Sequence, residues 1–350
     1  MRVLLINPGA TSTKIAVFED ETEIFKTNLE HTAAELEPFD SVIDQLEFRK
    51  KLVLDTLATA GLELAGFDAV CGRGGLMRPV ASGTYRVNAR AVEDLRAARY
   101  GEHASNLGCC LAWELSETAG IPAFFVDPPS TDEREKYARV SGYKGMERAG
   151  IFHALNQKGI ARLAAEKLGR AYEECNLVVI HMGGGTSVAA HQKGRVVDVT
   201  DCQDEGSFSI DRSGGIPIKQ VLALCYSGIS YQQVKRNILR DGGLYSYLGT
   251  RDFREIERRV RAGDEEAALV AGAMAYKTAK DIGSMAAVMR FEVDAVVFTG
   301  GLANSRWLCD EIGQYVKKIA PILIFPGEDE MRRMALGVLR VFRGGEALEY

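Results

Sequence analysis

No stretch of this sequence holds the roughly eighteen consecutive apolar residues that a membrane-crossing helix requires. No C-x-x-C pair occurs among its seven cysteines, Cys71, Cys109, Cys110, Cys175, Cys202, Cys225 and Cys309. A structural zinc site is therefore not expected, and the odd number and scatter suit free thiols in a reducing compartment. No basic stripe stands out and the formal net charge is −5. Partners of the nucleic-acid or membrane-surface kind are therefore not expected. The apolar run at the N-terminus stops at Asn7-Pro8, too short for a signal peptide, and the expected location is the cytoplasm. Low-complexity tracts, short-period repeats and a glycine/serine linker are missing too.

What is present is the composition of an ordinary globular protein, 46% hydrophobic and 26% charged. A length of 350 residues suggests two domains. An acidic chain that handles anionic substrates has to gather positive charge locally, so arginines flanked by glycines carry weight.

Val3-Leu4-Leu5-Ile6 reads as a buried strand, Asn7 to Lys14 as a turn, and Ile15-Ala16-Val17-Phe18 as the returning strand. Backbone N–H groups at Gly9, the hydroxyls of Thr11 and Ser12, and the Lys14 ammonium together suit a phosphate. This is not a Walker loop, because the chain returns as a strand instead of feeding a helix. The device recurs: the strand 177–182 leads into Gly183-Gly184-Gly185-Thr186-Ser187 and runs back through 188–191. Three consecutive glycines let a backbone approach an anion with no Cβ in the way. Third strands follow at 23–26 and 195–199, so a duplicated domain is expected. Helical periodicity marks 41–60, 107–119, 154–168, 264–290 and 331–342, and strands are expected at 67–71, 123–126, 295–299 and 322–325. This order fits mixed sheets in two α/β domains. The boundary is placed near Gly150, giving domains of 1–150 and 151–350, with the last helix, from about 331, packing back on the first.

Arg73 (Cys71-Gly72-Arg73-Gly74-Gly75) and Arg212 (Ile210-Asp211-Arg212-Ser213-Gly214-Gly215) can each meet a carboxylate or phosphate bidentately, and together could clamp a transferring phosphoryl group. His103 and His153 precede helices, whose N-termini receive anions, although a lone histidine is more often structural. Asp127 ends an apolar strand, where a carboxylate faces the ligand-binding edge of an α/β sheet and can hold Mg²⁺. Glu330 reads either as a second ligand or as a charge favoured at a helix start. Gly300, Gly301 and Asn304 lie in a strand-to-helix turn that would admit an adenosine or its phosphates.

These residues in this order resemble butyrate kinases, also called branched-chain fatty acid kinases, of the acetate kinase family. The resemblance spans essentially the whole chain. Its most specific stretches are 6–14, 71–75, 101–107, 126–128, 141–142, 151–158, 181–187, 212–214 and 298–302. It implies two duplicated ribonuclease H-like (actin-like ATPase) domains of βββαβαβα type facing across a cleft. It implies an ATP- and Mg²⁺-dependent carboxylate kinase that makes an acyl phosphate and ADP reversibly and by direct in-line transfer. Arg73 and Arg212 would serve the carboxyl substrate and the γ-phosphate, and His153 the transferring phosphoryl group, with His103 nearby. Asn7, Asp127 and Glu330 would lie near Mg²⁺, Gly183 to Thr186 around the nucleotide phosphates, and Gly301 and Asn304 at the adenosine. Gly75 and Phe152 would line the acceptor pocket. Gly75 stands where acetate kinases carry a branched residue, which either widens the pocket or serves the backbone alone. An acetate or propionate kinase is the nearest alternative, and an actin- or chaperone-like ATP switch one of another class. The expected partners are a short-chain acid and ATP, with a further copy of the chain.

Overall fold

A computed structural model describes residues 1–203 and 205–350. The chain divides into two compact units, Met1–Asp132 together with Asp329–Tyr350, and Glu133–Glu328. The division falls ahead of the expected Gly150, because residues after 132 are tied to the second unit. Glu133 pairs with the buried Lys158 at 2.6 Å, and Arg148 reaches Asp198 at 3.1 Å and Glu205 at 2.8 Å.

The strands in chain order are β1 (Arg2–Pro8), β2 (Ser12–Glu19), β3 (Thr22–Glu30), β4 (Ala69–Gly72), β5 (Thr84–Arg86) and β6 (Ala123–Val126). Then follow β7 (Asn176–Met182), β8 (Thr186–Gln192), β9 (Arg195–Val199), β10 (Ala295–Gly300), β11 (Ile322–Pro326) and β12 (Leu348–Glu349). The first unit's sheet runs β12-β5-β6-β4-β1-β2-β3 and the second unit's β11-β10-β7-β8-β9. In both, three antiparallel strands lead into two parallel ones, β1 to β4 to β6 in one and β7 to β10 to β11 in the other. Equal order and equal strand senses are what a duplicated domain leaves behind. β5 and β12 are the first unit's additions.

In the first unit Ile6 stands opposite Ile15 and Leu4 opposite Val17. These four form one core with Leu46, Val53 and Leu57 of the helix Leu46–Thr59 and with Leu107, Leu111 and Leu115 of the helix Asn106–Ala119. Burying each such side chain stabilises by about 1.5–3 kcal/mol. The helix Glu330–Phe342 packs on β1 through its buried stripe, which includes Met334, Ala335 and Val338. A Cβ on Gly72 would lie 2.0 Å from the Gly108 carbonyl oxygen, so β4 and the helix Asn106–Ala119 touch backbone to backbone. That contact sets the height at which Arg73 leaves the strand.

In the second unit alternate residues of β7 divide between two layers. Val178, Ile180 and Met182 join the buried stripe of the long helix Glu265–Val288, including Ala271, Met274 and Ile282. Leu177 and Val179 face Ile160, Ala161 and Ala164 of the helix Ala154–Lys167. Strands covered on both faces read as continuous apolar runs. Between β9 and the long helix come the shorter helices Ile218–Cys225, Tyr231–Leu239, Gly243–Leu248 and Phe253–Arg261. Among the described residues no helix is long and apolar enough to cross a membrane.

Candidate active site

The first turn, between β1 and β2, is built around an arginine that sequence reasoning missed. Arg49 is fully buried, and its Nη1 donates to the carbonyl oxygens of Gly9 and Ser12, both at 2.9 Å, and to Thr13 Oγ1 at 3.0 Å. Its Nη2 reaches the Ala10 carbonyl at 3.2 Å and Gln45 Oε1 at 2.7 Å. The turn's carbonyl oxygens are thereby drawn toward the guanidinium. Burial pushes Arg49 down to about 10, which still leaves it charged at neutral pH. Thr13, rather than Thr11 or Ser12, supplies the hydroxyl of this network, and Thr11 and Lys14 are exposed.

Beside the turn, Asn7 Nδ2 donates to Glu330 Oε2 at 2.7 Å, and Glu330 Oε1 lies 3.4 Å from Arg73 Nε. Arg73 is itself buried, and its Nη1 donates to the Asp127 carbonyl oxygen at 3.4 Å. Asp127 holds φ at 38°, a left-handed conformation that short polar side chains tolerate best. Its Oδ1 accepts from Ser82 Oγ at 2.7 Å and from the Gly83 N–H at 2.9 Å. Four sequence-predicted residues, Asn7, Arg73, Asp127 and Glu330, are thus brought into one polar cluster. His103 is exposed ahead of the helix Asn106–Ala119, and its Nδ1 accepts from the Ser105 N–H at 3.2 Å.

In the second unit the turn between β7 and β8 closes with the Gly183 N–H donating to the Gly185 carbonyl at 3.0 Å. Arg212 lies against this turn: a Cβ on Gly185 would be 2.4 Å from Arg212 Nη1. The same Nη1 donates to the Cys202 carbonyl at 3.0 Å. The Cys202 thiol stays protonated beside it, pushed up to about 11 by burial that outweighs the arginine's charge. A Cβ on Gly184 would meet only the Asp211 carboxylate, at 3.7 Å, and the Gly184 carbonyl accepts from Ser209 Oγ. Thr186 is buried where β8 begins.

His153 caps the helix Ala154–Lys167, with its Nδ1 2.9 Å from Ser187 Oγ. Its ring is stacked on His181, centroids 3.8 Å apart and planes 10° from parallel. His181 Nδ1 donates to Asn156 Oδ1 at 2.8 Å, and its Nε2 faces Glu328 Oε1 at 3.4 Å. Gly300 takes φ of 88° and passes so close to β7 that a Cβ would lie 2.3 Å from the Met182 carbonyl oxygen. Gly301 and Asn304 bound a short 3₁₀ turn, Gly301–Asn304, closed by Asn304 Nδ2 donating to the Gly301 carbonyl at 2.9 Å.

Two duplicated units, each with a phosphate-type turn, frame the comparison with known proteins. Residues 135–318 match the model of the acetokinase family. The chain belongs to the acetokinase family. With it comes the reaction class, a phosphotransferase that takes a carboxyl group as acceptor and uses ATP or ADP. Among solved structures, an acetate kinase from Porphyromonas gingivalis is 20% identical with a TM-score of 0.81, covering 97% of this chain and 99% of that one. A propionate kinase from Francisella tularensis subsp. tularensis SCHU S4 is 18% identical with a TM-score of 0.77, over 96% and 98%. An acetate kinase from Entamoeba histolytica is 14% identical with a TM-score of 0.78, over 96% and 98%. At such identities the likeness is one of fold.

Within this acetokinase-family chain the two residues expected to line an acceptor pocket, Gly75 and Phe152, are closely packed against neighbours. A Cβ on Gly75 would lie 2.5 Å from Asn106 Oδ1, 2.7 Å from Asn106 Cα and 2.8 Å from Leu95 Cδ2. The missing side chain lets the loop lie on the helix start, where the Leu76 N–H donates to Asn106 Oδ1 at 2.9 Å, and it opens no room. Phe152 is 3% exposed and packs with Ala154, Ala189, Val196 and Val199 in the second unit's core. Gly75→Val is therefore expected to overpack the loop by about 1–3 kcal/mol. It should lower kcat/KM for acetate, propionate, butyrate and isobutyrate alike, together with the melting temperature. A loss confined to the longer acids at unchanged stability would reinstate the pocket.

Arg49 carried a legible signal that was passed over. Positions 46, 49, 53 and 57 form one helical stripe, and an arginine among leucines and a valine on that stripe has to be satisfied inside. Ser187, Gln157 and His181 lie in the stretches 151–158 and 181–187 that carry the resemblance, but their hydrogen bonds and ring contact join distant segments and had no local sign.

Proposed function

We propose that this chain transfers the γ-phosphoryl group of ATP to a short-chain carboxylate, reversibly and in line. The observation that carries the reading is Arg212 seated on Gly185 of the glycine turn, a planar cation placed against backbone suited to phosphate. A carboxylate oxygen attacks phosphorus with its lone pair. The new P–O bond forms as the bond to the β-phosphate oxygen breaks, and that electron pair leaves with ADP. The acid is ionised at neutral pH, so no base is needed to take a proton. Catalysis then consists of positioning and charge stabilisation.

In this reading Arg73 meets the acceptor carboxylate, Arg212 and His153 meet the transferring phosphoryl group, and the turn Gly183–Gly185 cradles the nucleotide phosphates. Gly300, Gly301 and Asn304 serve the adenosine. Asn7, Asp127 and Glu330 offer oxygen donors only, the set a hard cation prefers. Among the described residues no group of three or more His, Cys, Asp or Glu could hold a metal alone. Mg²⁺ bound by one or two carboxylates with phosphate oxygens and water does not need one. When bound, it would neutralise charge on the phosphates.

Butyrate or a branched short-chain acid is the acceptor that the sequence resemblance suggests. Acetate or propionate is the second reading, favoured by the close packing at Gly75 and by the neighbours being acetate and propionate kinases. Hydroxylamine trapping of the acyl phosphate, with ATP, Mg²⁺ and a panel of short acids, ranks them. No hydroxamate with any acid would overturn the proposal. Arg73→Ala should cut turnover by on the order of 10³-fold and also raise KM for the acid, because a ground-state carboxylate contact goes with it. An unchanged KM for the acid would take Arg73 away from the acceptor.

A further inference from the structure

Behind His153 runs a continuous chain of hydrogen bonds through the second unit's interior. Ser187, Gln157 and His191 are each fully buried and Tyr172 nearly so. Gln157 Nε2 donates to the Ser187 carbonyl at 3.1 Å and to Ser187 Oγ at 2.8 Å. A carbonyl only accepts, so this contact identifies the NH₂ end of the amide. Gln157 Oε1 therefore faces His191 Nε2, at 3.1 Å, and that nitrogen must carry a proton. His191 Nδ1 lies 2.8 Å from the Tyr172 hydroxyl. Burial first, then the charges of Lys158 and Arg162, hold His191 well below the ordinary imidazole range. It is neutral, and its Nδ1 accepts from the Tyr172 O–H.

Every direction in the chain is now fixed except the last. Ser187 Oγ already receives a proton from Gln157 and has one proton of its own to give. Its other polar partner is His153 Nδ1, at 2.9 Å. If Nδ1 carried the imidazole proton, Oγ would have two donors pointing at it and its own O–H would be left without an acceptor in a fully buried place, a costly arrangement. The Ser187 O–H accordingly donates to Nδ1, and the proton of neutral His153 sits on Nε2. On this side His181 is stacked on the ring, and Glu328 lies beyond His181.

We propose that Gln157 and Ser187 are positioning residues that hold His153 as the Nε2–H tautomer, so that it presents a hydrogen-bond donor to the transferring phosphoryl group. The tautomer follows from the hydrogen-bond geometry alone, while its use rests on the function proposed above. A neutral donor stabilises charge developing on a phosphoryl oxygen without adding a cation that would also tighten the ground-state complex. Ser187→Ala removes the group that selects the tautomer, Ser187→Thr keeps the hydroxyl, and Gln157→Met removes the donor that orients it.

The chain has five histidines, few enough to resolve by long-range ¹H–¹⁵N correlation on ¹⁵N-histidine protein at about pH 8, where a free imidazole is neutral. His153→Gln assigns the signal. Wild type should show His153 protonated at Nε2, and Ser187→Ala should show a mixture, with Gln157→Met shifted the same way to a smaller extent. In Ser187→Ala kcat should fall about ten- to a hundredfold, the range for losing a group that orients a metal-binding imidazole. KM for acid and ATP should hold, and Ser187→Thr should restore both tautomer and rate. A wild-type ring protonated at Nδ1 would overturn the proposal, as would a tautomer indifferent to Ser187→Ala or a kcat that ignores the tautomer. The spectra need no turnover, so absence of acyl phosphate with every acid would strike the functional reading and leave the tautomer assignment standing.

Discussion

Arg212→Ala is expected to lower kcat by on the order of 10³-fold or more, the scale at which an arginine facing a transferring phosphoryl group contributes. The geometry behind this is specific. The guanidinium is anchored at one edge by the Cys202 carbonyl, and it occupies the space that a side chain on Gly185 would need. A lysine at this position restores the charge without the planar fork, so Arg212→Lys should recover only part of the rate. Gly185→Ala tests the same contact from the other side. Its methyl group would sit 2.4 Å from Nη1 and displace the guanidinium, so kcat should fall with the arginine still present. Steady-state turnover, with circular dichroism and melting temperature as controls on folding, reads all three. Near-normal turnover in Arg212→Ala would remove this residue from the mechanism.

Arg49→Met is expected to destabilise the first unit by about 1.5–3 kcal/mol, the range for losing hydrogen bonds that a charged donor makes to neutral acceptors. Methionine fills much of the volume, so the cost is not mainly a cavity. The carbonyl oxygens of Gly9, Ala10 and Ser12 lose their common donor, although the Ser12 carbonyl keeps the Gly9 N–H at 2.7 Å and none of the three residues is buried. Water can reach part of this turn, which keeps the total below the sum. Amide hydrogen exchange should accelerate over residues 9–13, because the turn is no longer held from behind. Denaturant unfolding followed together with that exchange separates the first unit from the second. A midpoint and exchange pattern matching wild type would show that the turn holds its shape without Arg49.

The parts of the fold that were legible in the sequence share one property: their signal is local. The apolar runs of β1, β7 and β10, the hairpin glycines and the stripe of the last helix are each set by neighbours within a few residues. β5 and β12 were not read, because a short strand beside a distant segment carries no periodicity. Tyr350 illustrates this, since its hydroxyl donates to the buried Asp94 at 3.0 Å across most of the chain. The short helices between 218 and 261 were not read either. In the helix Ile218–Cys225 the residues Ile218, Val221, Leu222 and Cys225 do recur at helical spacing, but none of the helix is buried and the run is only eight residues long. At the candidate site, Arg73, Arg212 and His153 stand out in the sequence as residue types that can meet anions. Gly75 left two readings open, because the absence of a side chain has the same appearance whether it opens a pocket or admits a backbone.

The first unit is discontinuous: its β1 contributes Asn7 and its last helix contributes Glu330, 323 positions apart. On a ribosome, adding roughly 5–20 residues per second, the N-terminal sheet must wait many seconds for that helix. The stretch Glu133–Glu328 is continuous and can fold as soon as it emerges. The usual order, in which the N-terminal part of a chain finishes first, is reversed here. Until the helix Glu330–Phe342 arrives, the face of β1 that it covers stays bare, so nascent chains halted before residue 330 should be the form that chaperones bind most avidly.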